Sequence, residues 1–164
     1  MATRAILTPY SAEFASTVFP ALSISNTTAR RPVLAYDGST AESAYWTIVA
    51  PQGWTGTGTM VLSVIFPTAT SGTAIMDVAF ECITTADATD LDATTSFDTT
   101  NTSTTITAPA TAGHMVQNSI TLTNADSITV ADYLRIRISR APTNASDTIT
   151  TDLHLLVAEL RDTA

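Results

Sequence analysis

Apolar and polar residues alternate along most of this chain, which is the pattern of strands that bury one face. The longest such run covers residues 73–84, where Met76, Val78 and Phe80 share one face and Asp77 lies on the other. An alternation this regular predicts a half-buried antiparallel strand rather than a helix. Further strands are predicted at residues 32–36, 43–50, 60–66, 119–122, 127–130, 134–139 and 149–160, and weaker ones at 95–97 and 103–108.

Turn-forming residues separate these runs. The pair Asp37-Gly38 follows one predicted strand, and a glycine-rich turn at residues 56–58 joins two others. Short strands joined by such turns favour an all-β fold. We predict an antiparallel β-sandwich that is jelly-roll-like.

The last two runs place particular side chains on one face of a strand. In the closing run, Leu153, Leu155 and Val157 are expected to share a face. In the run before it, Arg135 and Arg137 project together. Two arginines on one face indicate ion pairs with carboxylates, either across the sheet or across a subunit boundary.

The first 30 residues show little periodicity. They contain two aromatic anchors, Phe14 and Phe19, and a candidate edge strand over residues 18–24, where a proline is tolerated. Such a segment either packs on a neighbouring molecule or forms strands of its own sheet, and both alternatives stay open. We therefore divide the chain into an N-terminal arm or edge strands, 1–30, and a jelly-roll domain, 31–164.

The composition limits the kinds of molecule that the protein is expected to bind. Only 13% of the residues are charged, the net charge is −8, and lysine is absent. Nucleic-acid binding needs clustered positive charge, so we expect no nucleic-acid partner. No stretch is long and apolar enough for a membrane span, and we expect no membrane partner. The polar surface must come from Thr, Ser and Asn, which can pack against protein without desolvating charge.

Side chains that carry catalysis are scarce. The two histidines, His114 and His154, lie in no triad or zinc-binding spacing, and we interpret them as surface or interface residues. A cupin-like metal enzyme needs several histidines around one metal, so the protein is not expected to be an enzyme or to hold a cofactor. Cys82 lies in an apolar stretch without a basic neighbour, which predicts a buried, unreactive thiol.

One acidic loop is a candidate metal site. Asp87, Asp90 and Asp92 are weak calcium candidates, because a flexible loop can present several carboxylates, although the spacing is not that of an EF-hand. The alternative is a solvated loop. Trp54 also lies in a predicted loop, where it either stacks on a sugar or a partner or folds back to cap the core. The interface candidates are Phe14, Phe19, Arg30, Arg31, Trp54, Arg135 and Arg137.

Residues 31–161 resemble the small jelly-roll structural proteins of tailed-bacteriophage virions, the family that includes capsid decoration (cement) proteins. Four segments carry this resemblance: YDGSTAESAYW at 36–46; IVAPQGW at 48–54 with MVLSVIF at 60–66; VADYLRIRISR at 130–140; and DTI at 147–149 with the closing strand to residue 160. The match is one of pattern, and it carries no functional residue over to this chain.

The resemblance implies a non-enzymatic protein on the phage capsid surface. It implies a homotrimer that stabilises the head by bridging subunits of the major capsid protein. Because the N-terminus has no secretory signal, synthesis is expected in the host cytoplasm. The alternative is a head-fibre, tail or baseplate module that binds host-surface carbohydrate, with Trp54, Tyr45 or Tyr133 as sugar platforms and the Asp87 loop as a calcium site.

Overall fold

Two antiparallel β-sheets pack face to face in the computed structural model, which describes residues 1–26 and 28–162. In chain order the strands are β1 (Thr3–Leu7), β2 (Glu13–Phe14), β3 (Ala21–Ile24), β4 (Pro32–Tyr36), β5 (Ser43–Val49), β6 (Gly58–Ile65), β7 (Thr73–Ala74), β8 (Met76–Ile83), β9 (Asn101–Thr102), β10 (Ile106–Thr107), β11 (Met115–Leu122), β12 (Tyr133–Arg140) and β13 (Leu153–Asp162). Short 3-10 turns cover Pro9–Ser11 and Thr85–Asp87.

The larger sheet has the order β11-β6-β13-β4-β3, and β1 pairs with the far half of β13. The second sheet has the order β2-β5-β12-β8-β9, and β7 and β10 form a small extra pair. The fold is an antiparallel β-sandwich of the jelly-roll type, as the alternation of the sequence predicted. The predicted strand at 127–130 is wrong, because these residues form turns that lead into β12.

The core lies between the two sheets and follows the alternation of the strands. Leu134, Ile136 and Ile138 of β12 point inward and are fully buried, as is Phe80 of the neighbouring β8. Arg135 on the same strand points outward and stays partly exposed. Complete burial of this many branched and aromatic side chains is the main term that stabilises the sandwich.

A bulge in β13 changes which side chains face the core. Its register against β6 shifts between Leu155 and Val157. Because side chains alternate with a period of two, one extra residue moves every later side chain to the opposite face. Leu155 is therefore buried before the bulge and Ala158 and Leu160 after it, whereas Val157 is only partly buried. The prediction that Val157 shares the face of Leu153 and Leu155 is wrong for this reason.

The N-terminal segment is built into the sandwich. It pairs first with β13 through β1, then with β5 through β2, and then with β4 through β3, so it crosses between the two sheets along one edge. Leu7 is part of the core, and the indole Nε1 of Trp46 donates to the carbonyl oxygen of Thr8 at 3.0 Å. Of the two alternatives left open by the sequence, the segment forms strands of its own sheets.

A buried ion pair fixes the corner that follows β12. The side chains of Arg140 and Asp147 are 0% and 1% exposed, and the guanidinium Nε and Nη2 donate to the two carboxylate oxygens at 3.0 and 2.9 Å. Nη1 donates to the carbonyl oxygen of Thr151 at 2.7 Å, and Nη2 also donates to that of Ile149. Such a pair is tolerated in the interior only when its remaining donors are satisfied, as they are here.

Candidate interaction surfaces

Exposed apolar side chains are concentrated at the N-terminal end of the chain. Of the thirteen large apolar side chains that are exposed in the described residues, eight fall within the first 24 positions. We call six of them the N-terminal edge. Its members are Tyr10, Phe14, Val18, Phe19, Leu22 and Ile24. Apolar side chains scattered singly over a surface need no explanation, but a contiguous group marks a contact surface.

Local structure holds the N-terminal edge in place. The rings of Phe14 and Phe19 pack with their centroids 5.4 Å apart, so the chain between β2 and β3 is anchored on itself. Leu22 and Ile24 lie on β3, which pairs with β4 on one side and is the last strand of its sheet. All four residues of β3 are exposed, and none is charged or a proline. Sheets commonly protect such edges with charged residues or proline, so β3 is a candidate contact surface.

The outward face of the five-stranded sheet carries the second candidate surface. We call Tyr45, Phe97, Arg135 and Arg137 the outward aromatic face. The guanidinium carbon of Arg135 lies 4.5 Å from the centroid of the Tyr45 ring, and that of Arg137 lies 4.9 Å from the Phe97 ring. The two rings are 5.8 Å apart and tilted. Stacking on aromatic faces orients both guanidinium groups.

The two arginines of this face differ in their acidic partners. Arg135 lies 3.8 Å from a carboxylate oxygen of Glu81 and 4.0 Å from one of Glu13. Glu81 is nearly fully buried beneath the loop that follows β8, and it also accepts hydrogen bonds from Ser96. Within residues 1–26 and 28–162, no carboxylate forms an ion pair with Arg137. The expected pairing across the sheet is thus seen at Arg135 and not at Arg137.

Trp54 does not reach either surface. Its side chain is 2% exposed, packs on Phe80 with ring centroids 5.6 Å apart, and donates from Nε1 to the carbonyl oxygen of Thr57 at 2.9 Å. The indole therefore caps the core, which is the second of the two alternatives that its position in a loop allowed. It is not available as an interface anchor or a sugar platform.

Arg30 and Arg31 lie in the exposed turn between β3 and β4. Arg31 lines a groove of about 520 Å³ on the outer side of the larger sheet, together with apolar side chains that include Met115 and Leu156. This groove begins at Ser25, directly after β3, the terminal strand of the sheet. Nothing in its geometry converges on a reactive atom.

The calcium candidates are not gathered around a common point. Asp87 accepts a hydrogen bond from the amide of Thr84, and Asp90 accepts one from the amide of Asp92. Among the residues that the structure describes, no group of three or more His, Cys, Asp or Glu side chains is placed to hold a metal ion. Asp87 and Asp90 accept hydrogen bonds within their own turns instead.

The remaining candidate side chains show no nucleophile. The thiol of Cys82 donates to a carboxylate oxygen of Asp132 at 3.2 Å, and burial together with that carboxylate raises the pKa of Cys82 to about 12. Burial also lowers the pKa of His154, whose Nδ1 is buried without a partner in the described part of the chain. His114 lies in an exposed turn before β11. In the described ranges, no helix is long and apolar enough to cross a membrane.

No family model and no curated protein matches this chain. Two solved structures share its fold. The catalytic domain of Agl-KA matches all of this chain with a TM-score of 0.60 at 11% identity, and the chain spans only 28% of that protein's length. A family 11 carbohydrate-binding module from Clostridium thermocellum, solved with a β-1,3-1,4-mixed-linked tetrasaccharide, matches with a TM-score of 0.52 at 9% identity, over 99% of this chain and 98% of that one. At these identities the likeness shows the fold alone.

Proposed function

We propose that this protein is a non-enzymatic structural protein of a phage virion. In this proposal it is a homotrimeric capsid decoration protein that stabilises the head by bridging major capsid protein subunits. The observation that carries the proposal is the N-terminal edge, which contains six of the thirteen large apolar side chains that are exposed in the described residues. A protein whose task is contact needs area and complementarity rather than reactive groups.

The edge is suited to a contact between subunits. Phe14 and Phe19 provide aromatic area, and β3 provides unpaired backbone groups next to Leu22 and Ile24. A partner strand placed beside β3 would satisfy these backbone groups and cover the two aliphatic side chains. A closed ring of copies would hide the edge from further, uncontrolled pairing.

The test is the mass of the protein in solution, by light scattering after size exclusion. A trimer would have about three times the chain mass of 17.2 kDa. The informative variant is Leu22→Thr with Ile24→Thr, because these side chains are 46% and 55% exposed and Thr keeps the strand propensity. We expect the wild type to be trimeric and this variant to be monomeric at the same concentration.

The control is Val49→Thr, which alters an even more exposed aliphatic side chain on the other sheet and should leave the mass unchanged. Binding to capsids that lack the protein should then parallel the oligomeric state. The edge variant should bind more weakly than the wild type, and the control should bind as the wild type does. A wild type that is monomeric and does not bind capsids would contradict the proposal. Deleting residues 1–25 is a poor test, because the deletion removes Leu7 from the core.

A second candidate function is carbohydrate binding at a host surface, as part of a fibre, tail or baseplate. The observation that favours it is the match to a carbohydrate-binding module over nearly the whole of both chains. The buried position of Trp54 removes one of the expected sugar platforms, and Tyr45 and Tyr133 remain on the outward face of the five-stranded sheet. The two functions differ in their readouts, since saccharide binding does not depend on the trimer.

A further inference from the structure

The outward aromatic face contains an arginine whose charge is not balanced nearby. Among the described residues, ion pairs with carboxylates are seen at Arg4, Arg135, Arg140 and Arg161, in a chain that has 15 acidic residues. Arg137 forms none within the described chain, although the residue is partly buried and its guanidinium stacks on Phe97. A guanidinium that is oriented by stacking and lacks an anion is prepared to bind one, because its donors are fixed in a planar fork.

A second polar group on the same face also lacks a partner. Asp77 lies on β8 opposite Ser139 of β12, and Arg137 is two residues from Ser139 on the same outward face. Such diagonal neighbours are about 7 Å apart. The Oδ1 atom of Asp77 is buried and accepts no hydrogen bond from the described residues. A ligand cannot reach that closed atom, but Asp77 is itself partly exposed, and its second carboxylate oxygen has no hydrogen-bond donor among the described residues and can accept one from a ligand.

We propose that the outward aromatic face binds an acidic saccharide. The carboxylate of a hexuronic acid unit pairs with the guanidinium of Arg137, a sugar hydroxyl donates to the accessible carboxylate oxygen of Asp77, and the C–H face of the pyranose packs on the exposed part of Tyr45. The inference rests on the second candidate function and is independent of the trimer. It assigns to that function a site and a substrate class that the fold likeness does not supply.

The charges around Arg137 favour a saccharide over an acidic peptide. Glu13 and Glu81 flank the neighbouring Arg135, and Asp77 lies diagonally from Arg137, so a chain with many carboxylates would be repelled. A saccharide with one carboxylate and several hydroxyls matches this face better, because its carboxylate can pair with one cation and its hydroxyls can hydrogen-bond to neutral groups. Hydroxyl side chains that point the same way supply those neutral groups. They are Ser43, Thr47 and Ser139.

The experiment is calorimetry with the full-length protein and two related probes. The first is xylotriose that carries one glucuronic acid branch, and the second is the same branched oligosaccharide with glucose in place of the glucuronic acid, so that only the carboxylate is missing. We expect the Kd for the acidic probe to be about tenfold lower, because the probes differ only by the group that Arg137 binds. Arg137→Gln should abolish that preference. The control Arg161→Gln removes the same charge from the other sheet, where Arg161 pairs with Glu159, and should keep the preference within twofold.

The outcomes distinguish failure of the acidic-saccharide site from failure of the carbohydrate-binding function. Equal binding of both probes overturns the acidic site and leaves the carbohydrate-binding function standing. Absence of binding to both probes overturns the inference together with that function, and leaves the virion role untouched. Binding of triglutamate as tight as that of the acidic probe overturns the saccharide assignment.

A measurement on the unaltered protein covers the case in which the Arg137 variant does not fold. Titration with the acidic probe, followed by NMR of arginine Nε–H groups and aromatic rings, should shift the signals of Arg137, Phe97 and Tyr45 with one saturation curve. Shifts confined to the groove around Arg31 would overturn the proposed site.

Discussion

The N-terminal edge and the corner at Arg140 reverse the usual distribution of side chains in opposite ways. At the edge, apolar side chains such as Leu22 and Ile24 face solvent. At the corner, a charged pair, Arg140 and Asp147, is almost completely buried. Both arrangements are unfavourable in isolation, because apolar surface avoids water and charges need it. The two regions differ in how far contacts within the chain compensate these unfavourable arrangements.

At the corner, contacts within the chain compensate the buried charges completely. Each nitrogen of the Arg140 guanidinium donates to an oxygen of Asp147 or to a main-chain carbonyl, and the carboxylate of Asp147 also accepts from the amide of Ile75. The N-terminal edge is resolved only in part, by the contact of Phe14 with Phe19. A buried charge with every partner present therefore indicates a structural role, whereas the exposed apolar area of the edge is what the proposed association would cover.

The largest effect is expected at the corner. Arg140→Met leaves Asp147 buried without its cation, and we expect a loss of about 3–5 kcal/mol in the free energy of unfolding. Denaturant titration at neutral pH measures this loss. The matched control is Arg161→Met, which removes an arginine from a partly exposed pair with Glu159 and should change stability far less, because water screens that pair. Similar losses in both variants would mean that the corner does not depend on its buried pair.

A smaller effect is expected at the turn next to this corner. One carboxylate oxygen of Asp37 accepts from the amides of Ser39 and Thr40 and from the hydroxyl of Ser39, and these bonds lower the pKa of Asp37 to about 2. Because the turn is exposed, Asp37→Ala should cost only on the order of 1 kcal/mol at pH 7.

The pH dependence of the Asp37 effect has a definite sign. The folded-state pKa of about 2 lies below the ordinary value of 3.8, so the unfolded chain binds the proton more readily. The stabilisation by Asp37 is therefore complete above pH 3.8 and disappears as the pH falls through about 2. Stability curves of the wild type and Asp37→Ala should converge in that range. A difference that stays constant down to pH 2 would contradict the role of the ionised carboxylate.

The sequence predicted the strands better than it predicted the contacts. Clean alternation placed β5, β8 and β12 correctly, because one face of each strand packs on a single core. The bulge that displaces Val157 carries no local signal, since an inserted residue looks like any other in an apolar run. The turn signal at Asp37-Gly38 was correct for a similar local reason, as its hydrogen bonds stay within a few residues.

The candidate surfaces were predicted less well than the strands. Arg137 and Phe97 meet across 40 positions of sequence, and Arg140 and Asp147 pair through a loop that the alternation does not describe. Such contacts depend on how loops fold back over the sheets. The alternation of the sequence does not show which arginine finds a carboxylate; among the described residues Arg135 and Arg140 do, and Arg137 does not.

At the N-terminal edge, the effect on the folded chain should be small and the effect on association large. Leu22→Thr with Ile24→Thr replaces two half-exposed side chains, so the stability of the isolated chain should change by about 1 kcal/mol or less. If copies associate through the edge, the Tm of the wild type rises with protein concentration, because association stabilises the folded state by mass action. The Tm of the variant should be independent of concentration. A wild-type Tm that is also independent would remove the edge as a self-association surface.

The smallest perturbation compares the N-terminal edge with a buried thiol elsewhere in the same molecule. Leu22→Cys places an exposed thiol on the edge, while the native Cys82 stays buried with a pKa of about 12. At pH 8 an aromatic disulfide reagent should react with the thiol at position 22 and leave Cys82 unmodified, because the reactive species is the thiolate. Dilution should accelerate the reaction at position 22, since a trimer covers the edge and a monomer exposes it. Guanidinium chloride should then release Cys82 and provide the total thiol count in the same sample. Rapid labelling at position 22 that does not change with concentration would show that the edge is open in the free protein, and its cover would then have to come from the capsid rather than from a second copy.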